Sequence, residues 1–269
     1  MSAPVFVIGP DQLRESSVVL DGAEARHAAT VRRMRVGEPI VVTDGQGRAA
    51  VGVVSAVSRD RVVVGVERRL ERPAPKPRLV VVQAIPKGER ADRAVELMTE
   101  VGVDEIVPFT AQRCVARWSA DRVDSSLARW RTTAREAAKQ SRRWWFPEVG
   151  RPVGLDALAE RVATSALALV LHEAGEGSAG SVPAASVSAA SVSIGSVPVP
   201  NSGDVLLVVG PEGGLTDDEV DRLVVAGATV ARLGPTVLRT STAGAAAAVS
   251  ILSRTPRWDV GAVGSAEEE

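Results

Sequence analysis

The sequence holds one cysteine, Cys114, no tyrosine, three phenylalanines and five tryptophans in 269 residues. One cysteine excludes an intramolecular disulfide and fits a reducing compartment. With aromatics at 3% and hydrophobic residues at 45%, a sizeable core is possible, but it has to be built from Val, Leu, Ile and Ala. No apolar run approaches the roughly 20 residues that span a bilayer. The start, Met1-Ser2-Ala3-Pro4-Val5, lacks the basic stretch and apolar run of a signal peptide. A cytoplasmic protein with no membrane partner is the expectation. Lysine is scarce as well: of 32 basic residues only Lys76, Lys87 and Lys139 are lysines. Positive charge is therefore carried by arginine, the better bidentate partner of phosphate.

The net charge of −1 hides an asymmetry. Residues 1–150 carry 25 Lys and Arg against 19 Asp and Glu, whereas residues 151–269 carry 7 against 14. A basic front on an acidic back points to a polyanion met by the front. A solvated surface on an arginine-rich chain explains the same numbers, and charge alone does not choose between them.

Residues 1–72 read as a small β-rich, barrel-like domain. Pro39 to Thr43 is an apolar strand before the turn pair Asp44-Gly45, and Ala49–Val57 and Arg61–Val66 are β-branched runs. Gly22 to Met34 has helical spacing. The stretch Arg72-Pro73-Ala74-Pro75-Lys76-Pro77 continues neither helix nor ladder, so residues 73–77 read as a linker. From 78 to 258 strands and helices alternate, the mark of an α/β domain. The expected strands are Leu79–Ile85, Ile106–Phe109, Ala166–Leu171, Val205–Val209 and Thr229–Leu233. The expected helices begin with Arg90–Val101, ended by Gly102, and the basic Ser125–Ser141. Residues 174–203 break the rhythm with Ser, Ala, Val and Pro near-repeats and read as a flexible insertion. Residues 259–269 read as a disordered tail.

The tail of the α/β part carries the chemistry. Gly210-Pro211-Glu212-Gly213-Gly214 follows an apolar strand and precedes a helix. Thr216-Asp217-Asp218-Glu219 is a capping box, with Leu215 and Val220 placed for the hydrophobic staple. A second loop, Leu233-Gly234-Pro235, leads to Leu238-Arg239-Thr240-Ser241-Thr242-Ala243 and an Ala-rich helix over Thr242–Leu252. Glycines admit a ligand close to the backbone, and helix starts offer free N–H donors, so the pattern describes a pocket made mostly of main chain. The first loop holds no basic residue and matches no dinucleotide or triphosphate fingerprint, which favours a neutral or cationic ligand with a nucleoside part. A cation at a helix start is disfavoured by about 0.3–1 kcal/mol. Arg239 is therefore expected to face something anionic or polar; bonding to local carbonyls or to Glu212 is the plainer alternative. The small face of Ala243-Gly244-Ala245-Ala246-Ala247-Ala248 suits tight helix packing or a dimer contact.

Those loops resemble the Gly-Pro-Glu-Gly and Leu-Arg-Thr-x-Thr-Ala segments of the SPOUT RNA methyltransferases. Within that superfamily the chain is similar to the RsmE family of 16S rRNA uridine-N3 methyltransferases. His27 with Val31-Arg32-Arg33-Met34, Lys87-Gly88-Glu89-Arg90, Glu100-Val101-Gly102-Val103, Arg113-Cys114, Gln140-Ser141-Arg142-Arg143 with Pro147, and Leu171-His172-Glu173 resemble further family segments. Arg142 stands where the family usually has Gly, and Ser241 replaces a common Glu. The resemblance covers most of residues 20–258 outside the insertion.

It implies a PUA-like β-barrel for RNA followed by a SPOUT α/β trefoil-knot domain that binds S-adenosylmethionine and dimerises. The implied cofactor residues are Leu171, His172, Gly210, Pro211, Glu212, Gly213, Gly214, Leu233, Gly234, Leu238, Thr240 and Ala243, with Thr240 near the donor. Arg32, Arg33, Lys87, Arg113 and Arg142 are the implied RNA contacts in 16S rRNA of the small subunit, and Trp144 and Trp145 are candidates to stack a base. Arg239, with Arg143 second, is the candidate to stabilise the uracil anion during transfer. The sulfonium is already activated, so no metal is expected. A ribose 2′-O methyltransferase and a non-catalytic ribosome assembly factor are the competing readings.

Overall fold

The computed structural model describes residues 3–172 and 191–259, which divide into two compact units. The first comprises residues up to 74 together with 138–146, and the second comprises 75–137 and 147 onward.

The first unit contains β1 (Val5–Val7), β2 (Ser17–Leu20), α1 (Gly22–Arg26), β3 (Pro39–Thr43), β4 (Arg48–Val57) and β5 (Val62–Glu71). They form one mixed sheet in the order β1-β3-β4-β5-β2, with β1 parallel to β3 and the other pairs antiparallel. Period-two alternation puts Val18 and Leu20, Ile40 and Val42, and Val62 and Val64 into one core with Phe6. Irregular register in β4 and the pair Gly52 and Gly65, where a Cβ on Gly52 would lie 2.1 Å from the Gly65 carbonyl, let the two long strands bend. The helix expected over Gly22–Met34 is shorter and looser. After α1 the chain makes a π-turn over His27–Val31, in which the Arg32 N–H reaches the His27 carbonyl at 2.9 Å. Arg33 then turns left-handed (φ 52°) and Met34 folds into the core.

Residues 138–146 close this unit. Phe146 N–H donates to the Gly45 carbonyl at 2.8 Å and Gly47 N–H to the Trp144 carbonyl at 2.9 Å. Lys139 pairs with Glu24 at 3.0 Å, both well buried. Gly45 and Gly47 both have positive φ, and a Cβ on either would meet the Phe146 or Trp145 ring within 3 Å. Glycine is therefore required at both hairpin positions, by backbone conformation and by space.

The second unit contains β6 (Arg78–Ala84), α2 (Arg90–Glu100), β7 (Glu105–Phe109), α3 (Val123–Gln140), β8 (Glu148–Val149), α4 (Leu155–Thr164), β9 (Leu167–Leu171), β10 (Val192–Ser193), β11 (Asp204–Val209), α5 (Asp217–Val225), β12 (Thr229–Arg232) and α6 (Thr240–Leu252). The last three residues of α3 fall in the first unit. All seven strands are parallel, in the order β10-β12-β9-β11-β6-β7-β8. Both faces are covered, so the strands are nearly continuous apolar runs. Leu79, Val81, Val205 and Leu207 pack with α2, α3 and α6, while Val80, Val82, Leu206 and Val208 pack with α4 and α5.

The segment 174–203 read as an insertion lies partly outside the described residues. Its last part is not loose: β10 pairs with β12, and Ile194 and Val197 are buried. Arg254 donates to the carbonyls of Ile194, Gly195 and Val197, which ties this edge to the end of α6. Residues 191–203 are thus an edge strand and a core turn, and the rest of the expected insertion lies outside the described residues. Residues 260–269 of the expected tail lie outside the described residues. The Ala-rich helix is also settled differently from one alternative: Ala243, Ala245, Ala247 and Ala248 are buried within the chain's own core. Gly244 lets α6 approach so closely that a Cβ there would lie 3.0 Å from the Met98 sulfur.

Candidate active site

In a parallel sheet the loops after the strands converge on one edge, where open α/β folds bind ligands. The loop after β11, the loop after β12 and the end of β9 line one cleft of about 820 Å³. Leu171, His172, Gly210, Pro211, Glu212, Gly213, Gly214, Leu233, Gly234, Leu238, Thr240 and Ala243 all border it, and so does Arg239. Every residue expected at the cofactor is thus brought to one place.

The walls are held by a few buried polar groups. The capping box forms as the spacing predicts: Thr216 Oγ1 accepts from the Glu219 N–H at 3.2 Å, and Glu219 accepts from the Thr216 N–H at 2.9 Å. Glu219 is only 1% exposed because its other oxygen accepts the Gln112 N–H at 2.8 Å, which the sequence did not reveal. Glu212 accepts the Lys87 N–H at 3.2 Å, so it is not the partner of Arg239. Thr240 Oγ1 donates to the Gly210 carbonyl at 2.7 Å and accepts from Gln83 Nε2 at 3.0 Å, which ties the start of α6 to the first loop.

Arg113, an expected RNA contact, also has a structural role. Its Nη1 donates to the Gly213 and Leu215 carbonyls, both at 3.2 Å, so it clamps the first loop from a position bordering the cleft. Sequence shows only that an arginine needs acceptors; here main-chain oxygens supply them. Gly210 also differs from the simplest picture. A Cβ there would meet Leu215 and Gly214 at 3.2–3.6 Å, so a larger residue pushes on the loop rather than filling the cleft. At Gly234 a Cβ meets nothing within 4 Å, so that is where a side chain enters open space.

Three guanidiniums on the cleft, those of Arg90, Arg232 and Arg239, are exposed and make no hydrogen bond or ion pair among the described residues. Arg239 is the N-cap of α6 in extended conformation and offers no side-chain cap. Arg90 and Arg232 were missed from sequence. Arg232 had a visible signal, since it ends a strand next to a pocket loop. Arg90 had only its place in the Lys87–Arg90 segment.

The comparisons with known proteins bear on this arrangement. Residues 72–253 match the family described as RNA methyltransferase domain, and residues 20–67 match the RNA methyltransferase PUA domain. The ribosomal RNA small subunit methyltransferase E of Mycobacterium bovis is 45% identical over 91% of this chain and 89% of its own. The chain belongs to the ribosomal RNA small subunit methyltransferase E family. The Bacillus subtilis member is 31% identical over 83% of this chain and 85% of its own. A methyltransferase of Legionella pneumophila, solved with its cofactor S-adenosylmethionine, superposes with a TM-score of 0.81 at 26% identity over 95% of this chain and 99% of its own. The methyltransferase E of Neisseria gonorrhoeae bound to S-adenosylmethionine gives 0.77 at 25% identity over 94% and 98%. As in that family, a PUA-like unit precedes the SPOUT methyltransferase unit here.

The other expected residues are divided between the two units. Lys87 has an exposed side chain in the second unit. Arg32, Arg33 and Arg142 are exposed in the first unit. Arg142 adopts φ 55°, the left-handed conformation that suits the glycine it replaces. Arg143, the second catalytic candidate, is half-buried in the first unit. The two tryptophans are committed to the protein: Trp145 Nε1 donates to the Arg72 carbonyl at 3.0 Å, and the Arg72 guanidinium lies 4.2 Å over the Trp144 ring. His27 packs edge-on against Phe6, with centroids 5.7 Å apart, and is structural.

Proposed function

We propose that this chain is an S-adenosylmethionine-dependent methyltransferase acting on N3 of a uridine in the 16S rRNA of the small ribosomal subunit. One observation carries the reading: two glycine-bearing loops and the start of α6 enclose a cleft that holds three arginines without partners among the described residues. The residues suit the cofactor. Gly234 leaves open space, and the first turn of α6 has N–H groups without helical acceptors. When bound, S-adenosylmethionine supplies a methyl group on a positively charged sulfur.

A cationic ligand does not call for Arg90, Arg232 and Arg239 against one lining carboxylate, Glu212, among the described residues. The arginines therefore serve the anionic partner. Uracil N3 must lose its proton before it is methylated, and the resulting charge spreads onto O2 and O4. Arg239, held at the cleft by the first turn of α6, is positioned to favour that anion. Arg90 and Arg232 contact flanking phosphates, and Lys87, Arg32, Arg33 and Arg142 extend the RNA surface. Arg239 is the first catalytic candidate, and Arg143, in the first unit, is the second. A trefoil knot, a homodimer and cytoplasmic residence belong to this reading through the family resemblance; sedimentation at micromolar concentration tests the dimer.

The decisive experiment is transfer of a labelled methyl group from S-adenosylmethionine to small subunits that lack the modification, with mass spectrometry of the product nucleoside. A single N3-methyluridine in 16S rRNA is the expected product. A ribose-methylated nucleotide would move the reaction to the 2′-oxygen, and binding of donor and RNA without transfer would favour an assembly factor.

A further inference from the structure

Gln83 sits near the end of β6, a strand otherwise apolar from Leu79 to Val82, and is fully buried. Its Nε2 donates toward three acceptors: the Ala84 carbonyl at 3.0 Å, the Thr240 carbonyl at 3.3 Å and the Thr240 hydroxyl at 3.0 Å. Its Oε1 is the one buried side-chain polar atom among the described residues with no hydrogen-bond partner. That oxygen points toward Gly244, where an added Cβ would lie 3.3 Å from it. Flipping the amide does not help, because it would set Oε1 against two carbonyl oxygens.

An unsatisfied buried oxygen offsets part of what the three donated bonds contribute, so this amide is a poor source of stability. What the amide achieves is orientation. Donation from Gln83 fixes the Thr240 hydroxyl as an acceptor on that side, so its proton goes to the Gly210 carbonyl 2.7 Å away. One carboxamide thereby sets the spacing between the first loop, through Gly210, and the residue after Arg239.

We propose that Gln83 is a positioning residue for methyl transfer: through Thr240 it fixes the Gly210 loop and the Arg239 turn relative to each other. This rests on the proposed reading that the first loop holds the methyl donor and that Arg239 faces the uracil. Gln83 touches neither ligand.

The test uses the full chain and two variants, Gln83→Met and Gln83→Glu. Gln83→Met keeps the volume and removes the donor. It should stay folded and melt somewhat below the wild-type temperature, since the Thr240 and Ala84 acceptors lose a bond, and bind S-adenosylmethionine and turn over about tenfold or more less well. In hydrogen exchange, the 210–215 loop and the first turn of α6 should both exchange faster. Gln83→Glu places a carboxyl whose buried neutral form can still donate to Thr240. Its rate relative to wild type should therefore fall as pH rises from about 6.5 to 9, as that acid ionises. Gln83→Met with wild-type donor affinity, turnover and exchange, or a Gln83→Glu ratio independent of pH, overturns the proposal. Hydrogen exchange needs no ligand, so a wild-type chain that fails to bind S-adenosylmethionine would refute the proposed function while the exchange data still decide the positioning role.

Discussion

The unpartnered guanidinium of Arg239 is the group the proposed reaction leans on most. Removing it with Arg239→Ala takes a charge away from a developing anion, and comparable losses reduce turnover by about 100-fold or more. Affinity for S-adenosylmethionine should stay near wild type, since calorimetry sees the donor and not the uracil. A variant turning over within a few-fold of wild type ends the Arg239 assignment. The two glycines separate blocking from distortion. Gly234→Val should weaken donor binding with little change in melting temperature, whereas Gly210→Val should lose both, because its Cβ presses on Leu215 and Gly214. Equal melting temperatures for the two would contradict that geometry. Cys114 offers a third test. Burial pushes its thiol pKa up, opposed by backbone hydrogen bonds and Arg117. The folded chain therefore keeps the proton more tightly than the unfolded one. The contribution is intact below the unfolded value and is lost as pH rises through the raised one. Native protein near pH 8 should react slowly with iodoacetamide and quickly in denaturant; rapid native alkylation would show that the thiol is accessible.

Elements were more legible than contacts. Capping boxes and glycine stops are local rules, so α5 starts at Asp217 after Thr216, and Gly227 follows its end with φ 110°. The pocket loops were legible because their composition has one efficient use. Partner choice was not legible. Arg113 bonds loop carbonyls, Trp145 bonds Arg72, and Gln83 joins two elements 157 residues apart in sequence, and none of this is encoded in spacing. The turn over His27–Val31 escaped for another reason: a π-turn keeps apolar spacing close enough to an α-helix to pass for one. Glu219 shows how much an element can depend on a single group. Glu219→Ala takes the acceptor from the part-buried Gln112 and Thr216 N–H groups while the Thr216 cap itself remains, a loss of roughly 1–3 kcal/mol. A urea midpoint unchanged from wild type would count against it. Gly244→Val should likewise destabilise by about 1–3 kcal/mol, since α6 must back away from Met98 and Val81.

Across the molecule the arginine-rich front gains a more specific meaning. Arg32, Arg33 and Arg142 lie in the first unit and Arg90 and Arg232 in the second, so both units carry exposed arginines. If these residues contact phosphates, each Arg→Gln change should lower the slope of log affinity for small subunits against log salt by about one. Slopes unchanged in all five would return the charge to ordinary surface solvation. The division into units carries one more consequence. The first unit is written in two instalments, and the second instalment, residues 138–146, supplies Phe146 and Trp145 against the Gly45 and Gly47 hairpin. On the ribosome, a nascent chain that has reached Ala74 still lacks that piece. Domains commonly fold in the order they emerge; here the N-terminal one has to wait for the whole of α3 and everything up to Phe146 before it can close.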